Sequence, residues 1–341
     1  MPVFIKLALL LLLLNPLTGC GSGDMRSPEE HLAAAQDYLD RKEPRAALIE
    51  LKNVLLQAPD NALARQLLGE THLALGDGPS AEKELSHAAS MGVDAGYIQP
   101  LLARALLLQR DYDGVLEISA DQVGLMPQGR ASIHATRGMA LLGMNQPDQA
   151  GVEFDLGLAQ DDQSLEVLTG MAWLAAGRQE PDKARDYIDR VFSIDPDYAE
   201  AWSLLGNLER TQGKLEAARE AYNKAIDNRH ANIPDRLNRI AINIAMGNQD
   251  EAKAEIGAIR KQGTQTHLLD YLDGLLAYQQ QRYPDAISAF EKALQANPQH
   301  IRSLYYAGTA SLLAENLSTA DSYLRRFNAK NHGFAPALNM L

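Results

Sequence analysis

A single cysteine, Cys20, is all that the 341 residues contain, so no disulfide can close within the chain and no cysteine-rich zinc site can form. Aromatic side chains make up only 6% of the sequence, with two tryptophans, which leaves the interior to aliphatic packing. Basic residues are outnumbered, 32 against 44 acidic ones, for a net charge of −12. That balance argues against a nucleic-acid binder, which needs a basic stripe. The longest apolar run, Leu7 to Leu14, has eight residues, far short of the ~20 that span a bilayer. No G-x-x-x-x-G-K-[ST] phosphate loop is present. The histidines (His31, His72, His87, His134, His230, His267, His300 and His332) show no H-E-x-x-H or other close ligand spacing. With 46% hydrophobic and 22% charged residues, the chain has the composition of a packed protein.

The apolar run follows Lys6 and is broken by Asn15-Pro16, the make-up of a secretory signal core. Leu17-Thr18-Gly19-Cys20 comes next and resembles a bacterial lipobox. The resemblance implies cleavage after Gly19 and a lipid on Cys20. The residue after the cysteine is Gly21 rather than aspartate, which by the same resemblance implies an outer-membrane lipoprotein facing the periplasm. Residues 1–19 are then a lipoprotein signal peptide, and 20–27 the lipidated cysteine with a short polar tether.

Beyond residue 27 the chain repeats. Trp202, Leu205 and Gly206, followed by Ala218, Tyr222 and Ala225, match the signature of the tetratricopeptide repeat, and a step of 34 residues recovers it elsewhere. Gly274, Ala286, Phe290, Ala293 and Pro298 form a second near-complete copy; Gly138, Ala150 and Phe154, and Gly69, Ala81, Leu85 and Ala88, form others. Units are expected to start near residues 28, 62, 96, 131, 165, 199, 233, 267 and 301, nine in all across 28–334 with one extra residue. Three are weak: the unit from 96 has Val115 in the alanine position, with Pro127 in phase; the unit from 165 matches late; the unit from 233 lacks the early glycine. Apolar residues three and four apart place each half-unit on one helix face, Gly213 and Lys214 form a turn, and prolines such as Pro196 and Pro298 end second helices. The expected fold is all-α: a right-handed superhelical solenoid in which each unit buries its apolar face on its neighbours. Residues 335–341 read as the start of a truncated tenth unit.

Little in the sequence points to catalysis. Asp195, Asp197 and Glu200 cluster near Pro196, where acids at a polar turn and a helix N-terminus are the simpler reading. Neither an enzymatic role nor a bound cofactor or metal is expected. What remains is a surface for partner proteins. First helices line the groove of such a solenoid, so the candidate contacts are Trp173, Glu200, Ser203, Asn207, Arg210, Tyr271, Tyr278, Arg302 and Tyr305, aromatic and arginine anchors among them. The tyrosines could equally pack between repeats.

Residues 28 to about 118, with Glu50-Leu51-Lys52-Asn53 and the stretches AALIELKNVLLQAPDNALARQLLGETHLALGDGPSAEKEL and QPLLARALLLQRDYDGVL, resemble the PrsT lipoprotein family of the exosortase/PEP-CTERM system. The resemblance implies a lipid-anchored scaffold that binds proteins of polysaccharide export or PEP-CTERM sorting, with no catalytic role. Two other readings stay open: a pilotin-like lipoprotein for type IV pilus or secretin assembly, and the repeat arm of a larger enzyme such as a glycosyltransferase.

Overall fold

The computed structural model describes residues 26–121, 124–228 and 233–329. Eighteen helices lie within them, in nine antiparallel pairs. These are α1 (Pro28–Asp40) and α2 (Pro44–Gln57), α3 (Ala62–Ala74) and α4 (Gly78–Ser90), α5 (Ala95–Gln109) and α6 (Tyr112–Glu117), α7 (Pro127–Gly143) and α8 (Pro147–Gln160), and α9 (Leu165–Gly177) and α10 (Pro181–Ile194). The array continues with α11 (Ala199–Thr211) and α12 (Leu215–Asn228), α13 (Ile233–Ala245) and α14 (Gln249–Lys261), α15 (His267–Gln279) and α16 (Tyr283–Ala296), and α17 (Ile301–Leu313) and α18 (Leu317–Asn328). The all-α solenoid expected from the period is therefore the fold. Gly19, Cys20 and the stretch 335–341 lie outside the described residues.

Local chemistry sets the helix boundaries. Ser27 caps α1 in a capping box with Glu30, and Asn61, Asp77, Asp94, Asp111, Ser164 and Asn316 each accept a backbone N–H at a helix start. Second helices open on proline: Pro44, Pro147 and Pro181 lead α2, α8 and α10, where the missing N–H costs nothing. Between the two helices of every unit, one residue takes a left-handed backbone. Lys42, Gly76, Arg110, Asn145, Gln179, Gly213, Gly247, Gln281 and Glu315 have φ between 57 and 84°, and only three of them are glycine. The spacing is 34 residues throughout, except for 35 between Arg110 and Asn145, which locates the extra residue.

Packing within a unit follows one rule, a small residue facing a large one. A Cβ added to Gly138 would lie 2.4 Å from the Phe154 ring, and one on Gly206 would lie 2.7 Å from Tyr222. Phe154 also abuts Gly170 of the next unit, at 2.3 Å from a Cβ there. Burying such a ring contributes ~1.5–3 kcal/mol. The alanines Ala47, Ala81, Ala150, Ala184, Ala218, Ala252 and Ala286, all wholly buried, recur at the facing position on second helices.

The third unit departs from this plan. Its second helix, α6, is a stub of six residues, where α2, α8 and α10 have 14. Ile118, Ala120 and Leu125 fold back onto Ile133 in place of the missing turns. Arg137 of α7 then closes the stub, donating to the carbonyls of Leu116 (2.6 Å) and Ile118 (3.1 Å). Pro127, grouped by phase with helix-ending prolines, instead begins α7, so that helix starts four residues ahead of the expected 131.

Candidate functional site

First helices of successive units pack on one another (α3 on α5, α5 on α7, α7 on α9, α13 on α15), and no consecutive second helices do so as extensively among the described residues. That asymmetry curves the array with its first helices inside. The curvature is tight enough to bring distant units face to face. Leu39, Leu73 and Arg104 from the first three units and Glu200, Ile233 and Gln262 from the sixth and seventh line one cleft of about 660 Å³. Six to seven units thus complete about one turn. Inside it, Arg104 on α5 reaches Glu166 at the start of α9, 3.5 Å away, an ion pair that skips the intervening unit.

The sequence-derived contacts divide three ways on this wall. Trp173 is exposed at 38%, large for a free aromatic, and Arg302 is exposed as well. Glu200 lines the cleft. The second group is already engaged. Ser203 donates to the Asp235 carboxylate on the next first helix; Asn207 donates to the Ser203 carbonyl (3.1 Å) and accepts from the Tyr222 hydroxyl (3.0 Å). Arg210 is half-buried beside Tyr222. Ser203 ties its unit to the next, and Asn207 ties α11 to α12 within the unit.

The tyrosines belong mostly to the core. Tyr271 is only 7% exposed, edge-on to His300 at 4.9 Å and tilted against Phe290 and Tyr306. Burial first, then neighbouring Tyr306, pushes its hydroxyl up to about 12. It is not a groove contact, because the last two units fill with rings the volume that aliphatic side chains occupy elsewhere. Tyr278 and Tyr305 are half-buried against the same cluster, which takes in Tyr283, Tyr306 and Phe327. Burial also depresses His300 to about 4, assisted by His267 and Arg302.

A recurrent polar pair escaped the reading of the sequence. The fourth residue of a unit, when basic, meets a glutamate 19 residues later: His31 with Glu50 (2.6 Å), Arg65 with Glu84 (2.6 Å), His134 with Glu153 (2.8 Å) and Arg236 with Glu255 (3.1 Å). The consensus places Trp202 here, and the aligned units could have shown the exchange. In units four and seven an arginine three residues on joins as well, Arg137 to Glu153 at 2.9 Å and Arg239 to Glu255 at 2.6 Å. Burial raises the Glu153 carboxyl, but hydrogen bonds from His134 and Arg137 outweigh that and leave it below its ordinary value. All four of these pairs set His31, His134 or a partly buried arginine in a structural role, and no group of three His, Cys, Asp or Glu side chains fit to hold a metal occurs among the described residues. No described helix is long and apolar enough to cross a membrane.

Known proteins share this architecture. A family model described as Tetratricopeptide repeat matches residues 169–233 and 271–330, and a second of the same description matches 38–105, together more than half of the chain. A TPR repeat-containing protein of Pseudomonas aeruginosa is 30% identical over 76 residues, 22% of this chain and 70% of that one. The Cellulose synthase 2 operon protein C of Komagataeibacter xylinus is 25% identical over 203 residues, 59% of this chain but 14% of that protein, so this chain spans a small part of that relative's length. Among solved structures, the APC/C hetero-tetramer Cut9-Hcn1 superposes with a TM-score of 0.74 at 15% identity, covering 92% of this chain and 62% of that one. At that identity the likeness is one of fold.

Proposed function

The chain belongs to the tetratricopeptide-repeat family, and from that premise we propose that it is an envelope scaffold, held at the outer membrane by a lipid on Cys20, that gathers proteins serving exopolysaccharide synthesis or export. The observation that carries the scaffold reading is the inner wall itself: a continuous row of first helices with Trp173 and Arg302 exposed and a cleft lined by Arg45, Arg104 and Glu200. Such a surface offers aromatic and guanidinium anchors to a protein segment. A relative named for a cellulose synthase operon supports the polysaccharide side, and the resemblance of residues 28–118 to the PrsT family supports a link to PEP-CTERM sorting. Lipidation would concentrate partners at one surface, raising effective concentration without any new contact. A single acyl chain binds a membrane only marginally and several hold firmly, so release on losing Cys20 is expected.

The test is a crosslinked pull-down from native membranes with the intact protein and with Cys20→Ala, read by mass spectrometry. Recovery of polysaccharide-export or PEP-CTERM proteins that is lost with Cys20→Ala supports the reading. Recovery of pilus or secretin subunits in their place overturns it in favour of a pilotin-like role.

A further inference from the structure

A second opening lies away from the groove. Between α12, α13 and α14, a crevice of about 480 Å³ is lined by Arg219, Asn223, Arg236, Arg239, Asn243 and Glu255, with Glu251 at its edge and Ala254 and Ala258 leaving room. Glu255 is shared by two guanidiniums, those of Arg236 and Arg239. Arg239 also donates to Asn223 Oδ1 at 2.8 Å, and Arg236 to Gln262 at 3.1 Å. Arg219, half-buried on α12, makes no hydrogen bond or ion pair among the described residues. Three guanidiniums therefore face two carboxylates, a local positive excess on a chain of net charge −12.

The fourth unit supplies an internal comparison. It carries the same device, with His134 and Arg137 on Glu153, and a smaller opening of about 280 Å³ beside it, but there the two positions that complete the seam are apolar, Leu116 and Leu141. The corresponding positions of the seventh unit are Arg219 and Asn243. Holding the pair of helices together thus requires neither the extra guanidinium nor the amide. Asn243 is 4% exposed, and its Oδ1 is buried with no hydrogen-bond partner among the described residues, which is unfavourable for a polar group shut off from water.

We propose that this crevice is a docking site for an acidic peptide segment of a partner protein, separate from the groove. A glutamate or aspartate carboxylate would take the paired N–H groups of Arg219, a geometry the planar guanidinium matches bidentately. The backbone N–H beside it would supply the donor that Asn243 Oδ1 lacks. A phosphate diester brings charge but no donor, so the peptide suits the crevice better.

Fluorescence anisotropy with a labelled hexaglutamate peptide, titrated with the full chain at low ionic strength, tests this. Binding is expected, weakening as salt screens the pair, and Arg219→Gln is expected to raise the Kd by about tenfold or more. Because Arg219 has no partner to lose among the described residues, its variant keeps the native far-UV circular dichroism, and Trp173→Ala, on the groove, leaves hexaglutamate binding unchanged. Absence of binding by the unaltered chain, or undiminished binding by Arg219→Gln, overturns the proposal. So does a loss with Trp173→Ala equal to that with Arg219→Gln, which would put the peptide in the groove. Tighter binding of inorganic phosphate or of oligoglucuronate than of hexaglutamate would replace a peptide ligand with a phosphate or a glycan.

Discussion

At the scale of single residues, stability hangs on contacts that the repeat signature announces only in part. The glycine facing an aromatic ring was legible, since Gly138 and Phe154 recur in phase with Gly206 and Tyr222, and the 2.4 Å clearance explains it. Gly138→Ala is expected to destabilise the chain by about 1–3 kcal/mol in urea unfolding, the range for overpacking a filled site. Adding Phe154→Leu should recover part of that loss, because the first unit already pairs Ala35 with Leu51, both buried; a double-mutant cycle reads the coupling. The left-handed turn residue was legible only where it is glycine, as at Gly213. At Gln281, φ is 58°; a side chain there costs ~1–2 kcal/mol, of which glycine's entropy returns ~0.5–1 kcal/mol. Gln281→Gly should therefore raise stability by up to about 1 kcal/mol, and Gly213→Ala should lower it.

At the scale of elements, the weak third unit was visible as Val115 and a stray residue in the count, but the cause was not. Six residues of α6 cannot hold themselves as a helix in water, and what holds them is Arg137 on the next unit, a link across 21 positions that no local pattern displays. Arg137→Leu is expected to cost about 2–3 kcal/mol, and native-state hydrogen exchange should show the amides of α6 opening first. The same arginine lowers Glu153, which fixes the sign of a pH effect. A carboxylate whose folded value lies below its unfolded 4.5 contributes stability that is present above 4.5 and is lost as pH falls from there through the lowered value. Acid titration of the melting temperature should show that loss in the native chain and less of it with Arg137→Leu, which removes one of the two groups responsible.

At the scale of the whole molecule, the period alone told the fold, because each unit packs chiefly on its neighbours and a 34-residue step carries that packing along the chain. The cleft was out of reach of that reasoning, since Leu39 and Gln262 meet only after the array has come round. Removing α17 and α18 by ending the chain at Ala296 is expected to leave the remaining units helical, with exchange in units one to six unaltered and only the eighth unit loosened. A collapse of the whole helical signal would contradict a neighbour-by-neighbour array. Seen mechanically, a curved row of stacked helix pairs is a spring, and its compliance is set by its thinnest coil. That coil is the third unit, where a six-residue stub replaces a full outer helix. A pull applied between the two ends would be taken up there first, with the two units before it and the six after it moving as stiff arms, so that extension under load has a built-in starting point one third of the way along the array.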